Sequence, residues 1–449
     1  MAEVIMVSFN GKGSGVGELT WGQQHIWGAI EALKSTMNMR ATRELPAGAS
    51  VEEFVDELRF YAENFQSIRT RLKFVPDGLP LQVVVESGEI PIEIVDIGGD
   101  EDPAEAAAAI FERDADLAFD YTVDFPIRMT VVRREGVLTH LVTTLSHFVT
   151  DAAGALAMYN AYMRSLGDTD HGPEPERLES LELAVLQRTP TGKRQSDASL
   201  RYWEEQLRTI PMRRYRDPVD GGGARYWQAE LNSPAMFLAV RAIANRLQVD
   251  VSTALLGVYT VALVRVTGNN PAVVQMLVSN RFRPGFADMV SNISQTGLIV
   301  VDVAGLTVDE SIAQAQRALV RTYKNAYFDV SAWRDLITRV ELERGGEVEL
   351  GCYYNDRPSQ HRAPDFGALP AREVIEAAKL RTGPLTWTEL PFFNERLMVT
   401  IDDAPDTVAL IVLADTHYVT KEEMETLARE MESLAVAAAF DADIAAIGG

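Results

Sequence analysis

The sequence has a single cysteine and none of the common motifs that identify an enzyme class. Cys352 is the one cysteine among 449 residues, which excludes an internal disulfide and any metal site built from several thiolates. The chain has no Walker loop, His-Glu-x-x-His pair, Gly-x-Ser-x-Gly elbow or dinucleotide-binding fingerprint. We therefore expect no bound metal or cofactor and none of the reactions that these motifs mark.

Positive charge and long apolar runs are also scarce. Lys and Arg number 42 against 65 Asp and Glu, so the net charge is −23 and the surface would repel a phosphate backbone. The N-terminus lacks a basic segment followed by an apolar one, and the longest mostly apolar run, 254–264, is too short to span a bilayer. We expect a cytoplasmic protein that binds neither nucleic acid nor membrane.

What remains is the composition of a soluble globular protein, with 47% hydrophobic and 24% charged residues. A length of 449 residues allows two large lobes or two to three ordinary domains. The segment 167–198 is polar and rich in turn-forming residues, as linkers are. We therefore predict an N-terminal lobe over 1–180 and a C-terminal lobe over 181–449.

Helix starts and short β-branched runs alternate along the chain. Ser or Thr lies three residues before Glu or Gln, or directly before Pro, at five predicted helix starts, namely Thr20, Ser50, Ser233, Thr307 and Thr420. The segment 252–266 is nearly apolar all round, opens with a possible serine cap at Ser252 and predicts a buried helix. The runs 127–132 and 137–145 flank a tight polar turn and predict a hairpin. Other predicted strands are 81–86, 272–279, 298–303, 397–401 and 408–413. The pattern is typical of a mixed-sheet α/β protein.

One segment, 143–154, combines a predicted strand with residues able to do acid–base chemistry. His147 follows the strand, and Asp151 is suited to cap the helix that comes next, so the histidine lies at a strand-to-helix turn. An imidazole there could take a proton from an amine or hydroxyl that attacks a thioester or ester. The alternative is that a histidine and an aspartate four residues apart occur here by chance, since the chain has 6 histidines and many aspartates.

Six segments, in the same order, resemble motifs of the condensation domains of non-ribosomal peptide synthetases. Ser146-His147-Phe148-Val149-Thr150-Asp151-Ala152 lies where the family has His-His-x-x-x-Asp-Gly. The other five are Leu19–Trp27, Ser67–Leu72, Phe119-Asp120 followed by Pro126-Ile127-Arg128, Tyr202-Trp203 with Leu207, and Ser279-Asn280-Arg281 followed by Met289-Val290 and Gln295-Thr296. The resemblance extends from about residue 15 to residue 440. It implies two chloramphenicol-acetyltransferase-like lobes with mixed β-sheets, arranged as a V around a central tunnel.

The resemblance also implies roles for particular residues. His147 matches the second histidine of the motif and would act as general base or position the attacking amine. Asp151 would pair with Arg128 to hold the turn, and Ser146 would support the site. From the residues alone, Asp151 and Arg128 are equally an N-cap and an exposed strand cation. Side chains implied to line the substrate tunnel are Asn280, Arg281 and Gln295.

The implied function is that of a free-standing condensation enzyme of natural product biosynthesis. It would transfer an acyl or aminoacyl group from a carrier-bound thioester to an amine, giving an amide, or to a hydroxyl, giving an ester. The donor arrives on the phosphopantetheine arm of a carrier protein that binds in trans, and the acceptor is a small molecule or a second carrier-bound group. Two alternatives are a catalytically inactive platform that recruits a partner enzyme and an acyltransferase that uses coenzyme A.

Three residues depart from the family pattern within its motifs. Ser146 replaces the first histidine, Ala152 replaces the glycine, and Gln295 replaces an asparagine. Alanine is tolerated at 152 if the backbone is right-handed helical and is strained at positive φ. The first two replacements motivate the inactive-platform alternative.

Two arginine-rich segments are candidates for docking an acidic carrier protein, namely 213–216 and 281–283. The alternative is that these arginines are solvated or form ion pairs within the chain.

Overall fold

The computed structural model describes residues 2–76, 78–167, 177–357 and 370–447, and it divides into two compact units. The first comprises Met1–Ser196 with Ser279–Gln295, and the second comprises Asp197–Val278 with Thr296–Gly449. This division differs from the predicted boundary at residue 180, because the helical segment after that residue packs on the first unit and 279–295 returns to it. Within the predicted linker, residues 168–176 lie outside the described ranges.

The first unit contains two β-sheets and the helices that cover them. Its elements are β1 (Ala2–Asn10), β2 (Gly15–Glu18), α1 (Trp21–Leu33), β3 (Asn38–Glu44), α2 (Val51–Asn64), β4 (Thr70–Lys73), β5 (Leu81–Val84), β6 (Ser87–Ile97), α3 (Pro103–Asp116), β7 (Ile127–Arg134), β8 (Val137–Ser146), α4 (Ala152–Ser165) and α5 (Ser180–Arg188). The larger sheet has the order β1-β6-β7-β8-β3, with β6 and β7 parallel, and the smaller has the order β2-β5-β4. Apolar side chains of α2 and α4 fill one face of the larger sheet, and α3 covers the other.

The hairpin of β7 and β8 determines where the histidine segment begins. Its two-residue turn has left-handed φ values at Glu135 (51°) and Gly136 (81°), as required by the turn type that follows the right-handed twist of paired strands. The pairing runs from Arg134 opposite Val137, beside the turn, to Ile127 opposite Leu145, one residue before the end of β8. The predicted hairpin is therefore confirmed, and β8 ends one residue before His147.

The second unit is built on a seven-stranded mixed sheet. Its elements are α6 (Pro190–Thr209, which begins in the first unit), β9 (Tyr226–Ser233), α7 (Pro234–Leu247), α8 (Val251–Thr267), β10 (Ala272–Val278), β11 (Gln295–Val301), α9 (Val308–Asn325), α10 (Val330–Arg344), β12 (Cys352–Arg357), α11 (Arg372–Lys379), β13 (Thr386–Leu390), β14 (Leu397–Ala404), β15 (Thr407–Asp415) and α12 (Lys421–Phe440). The strand order is β11-β10-β12-β14-β15-β9-β13, in which β10, β12 and β14 are parallel and β14, β15, β9 and β13 are antiparallel. The predicted mixed-sheet α/β class is confirmed.

The predicted helix starts are confirmed by their hydrogen bonds. Both bonds of a capping box form at Thr20, Thr307 and Thr420, while Ser50 and Ser233 each accept one backbone N–H. Because these bonds join residues close in sequence, they fix where α1, α2, α7, α9 and α12 begin.

Helix α8 is buried along nearly its whole length, as predicted. Its N-cap is Asp250 rather than a serine, and Gly268 ends it in the left-handed region at φ 70°. Among the described residues, no single helix is long and apolar enough to cross a membrane, whereas α7 and α8, bent by 107°, pass that test as a pair by length and composition.

Candidate active site

His147 lies in the turn between β8 and α4. Its Nδ1 is 2.8 Å from the carbonyl oxygen of Thr150, three residues further along the turn. A carbonyl oxygen can accept a hydrogen bond and cannot donate one, so Nδ1 carries the proton in this contact. Nε2 of the neutral ring is then the unprotonated nitrogen, with a lone pair that can accept a proton.

The ring is partly exposed, and within the described residues no group forms a hydrogen bond with Nε2. A ring held at Nδ1 and open at Nε2 has the arrangement of a general base whose orientation is set by its other nitrogen. The geometry therefore allows the role predicted for His147.

Asp151 caps α4 and forms a buried ion pair. Its Oδ1 accepts from the Gly154 N–H at 2.8 Å, and its carboxylate pairs with Arg281. Both side chains are about nine-tenths buried, with 10% of Asp151 and 11% of Arg281 exposed. The hydroxyl of Ser294 lies 3.3 Å from Oδ2. The predicted cap is thus present, and two residues far along the chain hold the same carboxylate.

The expected pairing of Asp151 with Arg128 does not form in the described structure, and Arg281 takes that place. Arg128 instead donates to the carbonyl oxygens of Leu117 and Ala118, each at 2.7 Å, and its guanidinium lies 3.7 Å from the centre of the Phe119 ring. These contacts fix the segment before β7 rather than the histidine turn.

Ser146 is fully buried and bonded to a tyrosine that the sequence did not indicate. Its hydroxyl lies 2.6 Å from the hydroxyl of Tyr121 and accepts from the Phe148 N–H at 3.2 Å. The Tyr121 ring packs edge-on against the rings of Trp27 and Phe148, and burial raises its pKa so that the phenol stays protonated. The serine that replaces the first motif histidine is therefore part of a packed, satisfied support.

The histidine turn accepts a side chain at Ala152 but has no space for one at Gly154. Ala152 is the first residue of α4, in the right-handed helical conformation where a Cβ carries no strain. At Gly154 a Cβ would collide with the Thr150 hydroxyl and lie 2.9 Å from Nη2 of Arg281 and 3.2 Å from the Met289 carbonyl oxygen. The glycine two residues later is what lets Arg281 reach Asp151.

Gly154→Ala is therefore expected to lower the free energy of unfolding by about 1–3 kcal/mol, because the added methyl must displace the arginine or the turn. Urea denaturation of the purified variant measures this loss. Gly221→Ala is the matched control, since a Cβ at Gly221 meets nothing within 4 Å. An equal effect of the two substitutions would contradict the close approach.

Of the three residues implied to line a tunnel, Asn280 and Gln295 are buried and Arg281 is partly buried. Asn280 is 0% exposed, has a left-handed φ of 59°, and donates from Nδ2 to the Ile293 carbonyl oxygen at 3.1 Å. Gln295 is also 0% exposed, and Arg281 is committed to Asp151. Arg281 thus has a supporting position, and substrate contact by Asn280 or Gln295 stays a prediction.

The segment 279–295 also supplies contacts that sequence reasoning missed. Asn292, 2% exposed, donates from Nδ2 to the backbone carbonyl oxygen of His147 at 3.1 Å. The hydroxyl of Ser67 bonds to the Val290 carbonyl oxygen, and a Cβ at Gly22 would collide with the backbone of Asn292. The one signal in the sequence was the mostly polar run from Ser291 to Thr296, whose burial becomes visible only in the fold. This segment forms one wall of the histidine turn.

The arginine-rich segments are engaged within the chain. Arg214 is 8% exposed and donates to the carbonyl oxygens of Glu349 and Val273, Arg213 pairs with Asp217, and Arg281 pairs with Asp151. The alternative of internal ion pairs therefore describes Arg213 and Arg281, whereas Arg214 is bonded to backbone carbonyl groups. In the ranges that the structure describes, no group of three or more His, Cys, Asp or Glu side chains could hold a metal ion.

Comparison with known proteins bears directly on this fold and turn. The family model of the condensation domain matches residues 15–347. Cyclosporin synthetase simA from Tolypocladium inflatum is 22% identical over 321 residues, which are 70% of this chain and 2% of that protein. The chain thus corresponds to a small part of that curated relative.

Solved structures show the same fold. The condensation domain that mediates chain release from the enacyloxin polyketide synthase has a TM-score of 0.70 at 18% identity, covering 95% of this chain and 82% of that one. The X-domain of teicoplanin biosynthesis, solved in complex with OxyB, has a TM-score of 0.67 at 16% identity, covering 96% and 94%. Because the family model covers most of the chain, including the His147 turn, this protein belongs to the condensation domain family.

Proposed function

We propose that this chain is a condensation enzyme that joins a carrier-bound acyl or aminoacyl group to an amine, or to a hydroxyl, with His147 as the general base. The observation that carries the proposal is the hydrogen bond from Nδ1 to the Thr150 carbonyl oxygen, which leaves Nε2 as the basic nitrogen of a partly exposed ring. Asp151, Arg281 and Asn292 fix the turn on which that ring is held.

The proposed step balances without a metal or redox partner. The attacking amine gives a proton to Nε2 as its nitrogen bonds to the thioester carbonyl carbon. The carbon–sulfur bond then breaks, and the leaving thiolate takes the proton back from the imidazolium. The ring returns to its neutral form with Nδ1 still bonded to Thr150.

Condensation domains work with carrier proteins, and we propose that such proteins deliver the donor to this chain on a phosphopantetheine arm. The arm is a substrate group of the partner rather than a cofactor of this chain. The acceptor is then a second carrier-bound group or a small molecule. The neighbour that mediates chain release from a polyketide synthase is consistent with an acceptor outside an amide-forming assembly line.

A carrier-loading assay tests the proposal. Purified chain is incubated with an acyl-loaded carrier protein and with amine or hydroxyl acceptors, and the carrier is followed by intact-mass analysis. We expect loss of the acyl mass from the carrier in the presence of both chain and acceptor. A parallel reaction replaces the carrier with free acyl-coenzyme A, and transfer from that donor alone would favour the coenzyme A alternative.

A second candidate function is a recruiting platform without turnover. Two observations favour it: Ser146 occupies the place of the first motif histidine, and a neighbour of the same fold is an X-domain seen in complex with OxyB. A platform would bind a partner enzyme equally well after His147→Ala and would leave every loaded carrier unchanged. Retained partner binding together with absent transfer would therefore replace the enzymatic proposal.

A further inference from the structure

We propose that Asn292 is a positioning residue for His147, a role that rests on the proposed function of the ring. Asn292 comes from the segment 279–295, which leaves the second unit after β10 and contributes to the first unit. Its side chain is 2% exposed and lies against both the backbone and the ring of His147. Asn292 lies outside the motif 146–152 that contains His147 and Asp151.

The orientation of the Asn292 amide follows from its two partners. Nδ2 lies 3.1 Å from the His147 carbonyl oxygen, which can accept and not donate. Oδ1 lies 3.3 Å from the Ser294 N–H, which can donate and not accept. Both contacts place the nitrogen toward His147, so the amide donates to the carbonyl group of the histidine itself.

The same nitrogen lies 3.4 Å from Nδ1 of the imidazole. The imidazole Nδ1 already donates its proton to the Thr150 carbonyl oxygen at 2.8 Å. It therefore has no lone pair that could accept a hydrogen bond from Asn292. Asn292 therefore limits rotation of the ring by contact and fixes its backbone by a hydrogen bond. The carbonyl oxygens of His147 and Thr150 thus take part in two separate bonds that together set the direction of Nε2.

Asn292 can do this because its own backbone is held. A Cβ at Gly22 would lie 2.6 Å from the Cα of Ile293 and closer still to the Asn292 carbonyl oxygen, so α1 packs directly on the peptide between them. The Ser67 hydroxyl holds the Val290 carbonyl oxygen two residues earlier. A support anchored in this way resists the small displacements to which catalytic geometry is sensitive.

The test uses Asn292→Leu, which keeps the branching and the number of side-chain heavy atoms and removes the donor, and Asn292→Ser, which stays polar and is too short to reach the carbonyl group. We expect kcat for transfer from the loaded carrier to fall by about 10- to 100-fold with KM changed less than about threefold, because ring direction and not substrate binding is lost. Asn64→Ser is the matched control, since it likewise removes a side-chain amide that donates to a backbone carbonyl oxygen, that of Phe60, and Asn64 lies outside the histidine turn.

A second readout needs no activity. In ¹⁵N spectra of histidine-labelled protein, with the His147 signal identified by its loss in His147→Gln, the wild type should show one neutral tautomer with the proton on Nδ1. Both Asn292 variants should show a mixture of tautomers, and Asn64→Ser should match the wild type. If the wild type transfers no acyl group, the proposed function fails while the spectra still test Asn292. Wild-type spectra and wild-type kcat in folded Asn292 variants would overturn the positioning role.

Discussion

Replacing His147 with alanine is expected to lower kcat/KM for acyl transfer by about 10²- to 10⁴-fold, the usual contribution of a positioned general base. In the variant the attacking amine must lose its proton to water, since Nε2 was the proton acceptor that the Thr150 contact keeps available. The turn itself should persist, because Asp151, Arg281 and Asn292 hold it through atoms that the substitution leaves in place. Initial rates from intact-mass analysis of the acyl-loaded carrier give the measurement.

His140→Ala is the matched control for this loss. His140 belongs to the same strand, β8, where it is paired with Glu44 of β3 and Val132 of β7, away from the turn. Removing its ring should leave kcat/KM within about threefold of wild type, since it cannot reach a group at Nε2 of His147. Normal transfer by a folded His147→Ala protein would remove the histidine from the mechanism.

Much of the fold is predictable because its signals are local. Capping boxes at Thr20, Thr307 and Thr420 join residues three apart, so sequence spacing alone locates the helix starts. β1 is missed for a physical reason. Its inward side chains Val7 and Phe9 alternate with outward ones that include Val4, 56% exposed, so apolar residues occur on both faces and hide the alternation that marks a half-buried strand.

The part of the candidate site that is formed by residues close in sequence is predictable. His147 and Asp151 lie four residues apart in one turn, and the capping role of Asp151 follows from that spacing. The cation that pairs with Asp151 is not predictable from sequence spacing. Arg281 is 130 residues away, and its approach depends on a chain segment that returns from the second unit. The resemblance indicated Arg128, which is nearer in sequence and is held elsewhere by backbone carbonyl groups and by Phe119.

The effect of the serine at position 146 also depends on a residue that is distant in sequence. A serine in place of a histidine suggests a weakened support when the motif is read alone. In the fold its hydroxyl meets that of Tyr121, which is 25 residues away and whose ring is fixed by Trp27 and Phe148. Such compensation cannot be read from spacing, because it depends on which loop crosses the end of β8.

Arg281→Met is expected to lower the free energy of unfolding by about 3–5 kcal/mol, the range for removing one partner of a buried ion pair. The loss arises because the Asp151 carboxylate, 10% exposed, keeps its charge and loses its cation. The carbonyl oxygens of Ala287 and Met289 also lose the donor that lies 3.0 and 2.9 Å away. Urea denaturation measures the total, and hydrogen–deuterium exchange of the α4 amides shows whether the loss begins at the histidine turn.

Two further variants separate the buried pair from a general effect of removing an arginine. Arg128→Met removes two hydrogen bonds to carbonyl groups and should cost about 1–2 kcal/mol. The double variant Asp151→Asn with Arg281→Met removes both charges, and asparagine still caps α4. It should therefore be more stable than Arg281→Met alone, since no uncompensated charge stays buried. A double variant as unstable as the sum of its single substitutions would show that the ion pair is not what holds the histidine turn.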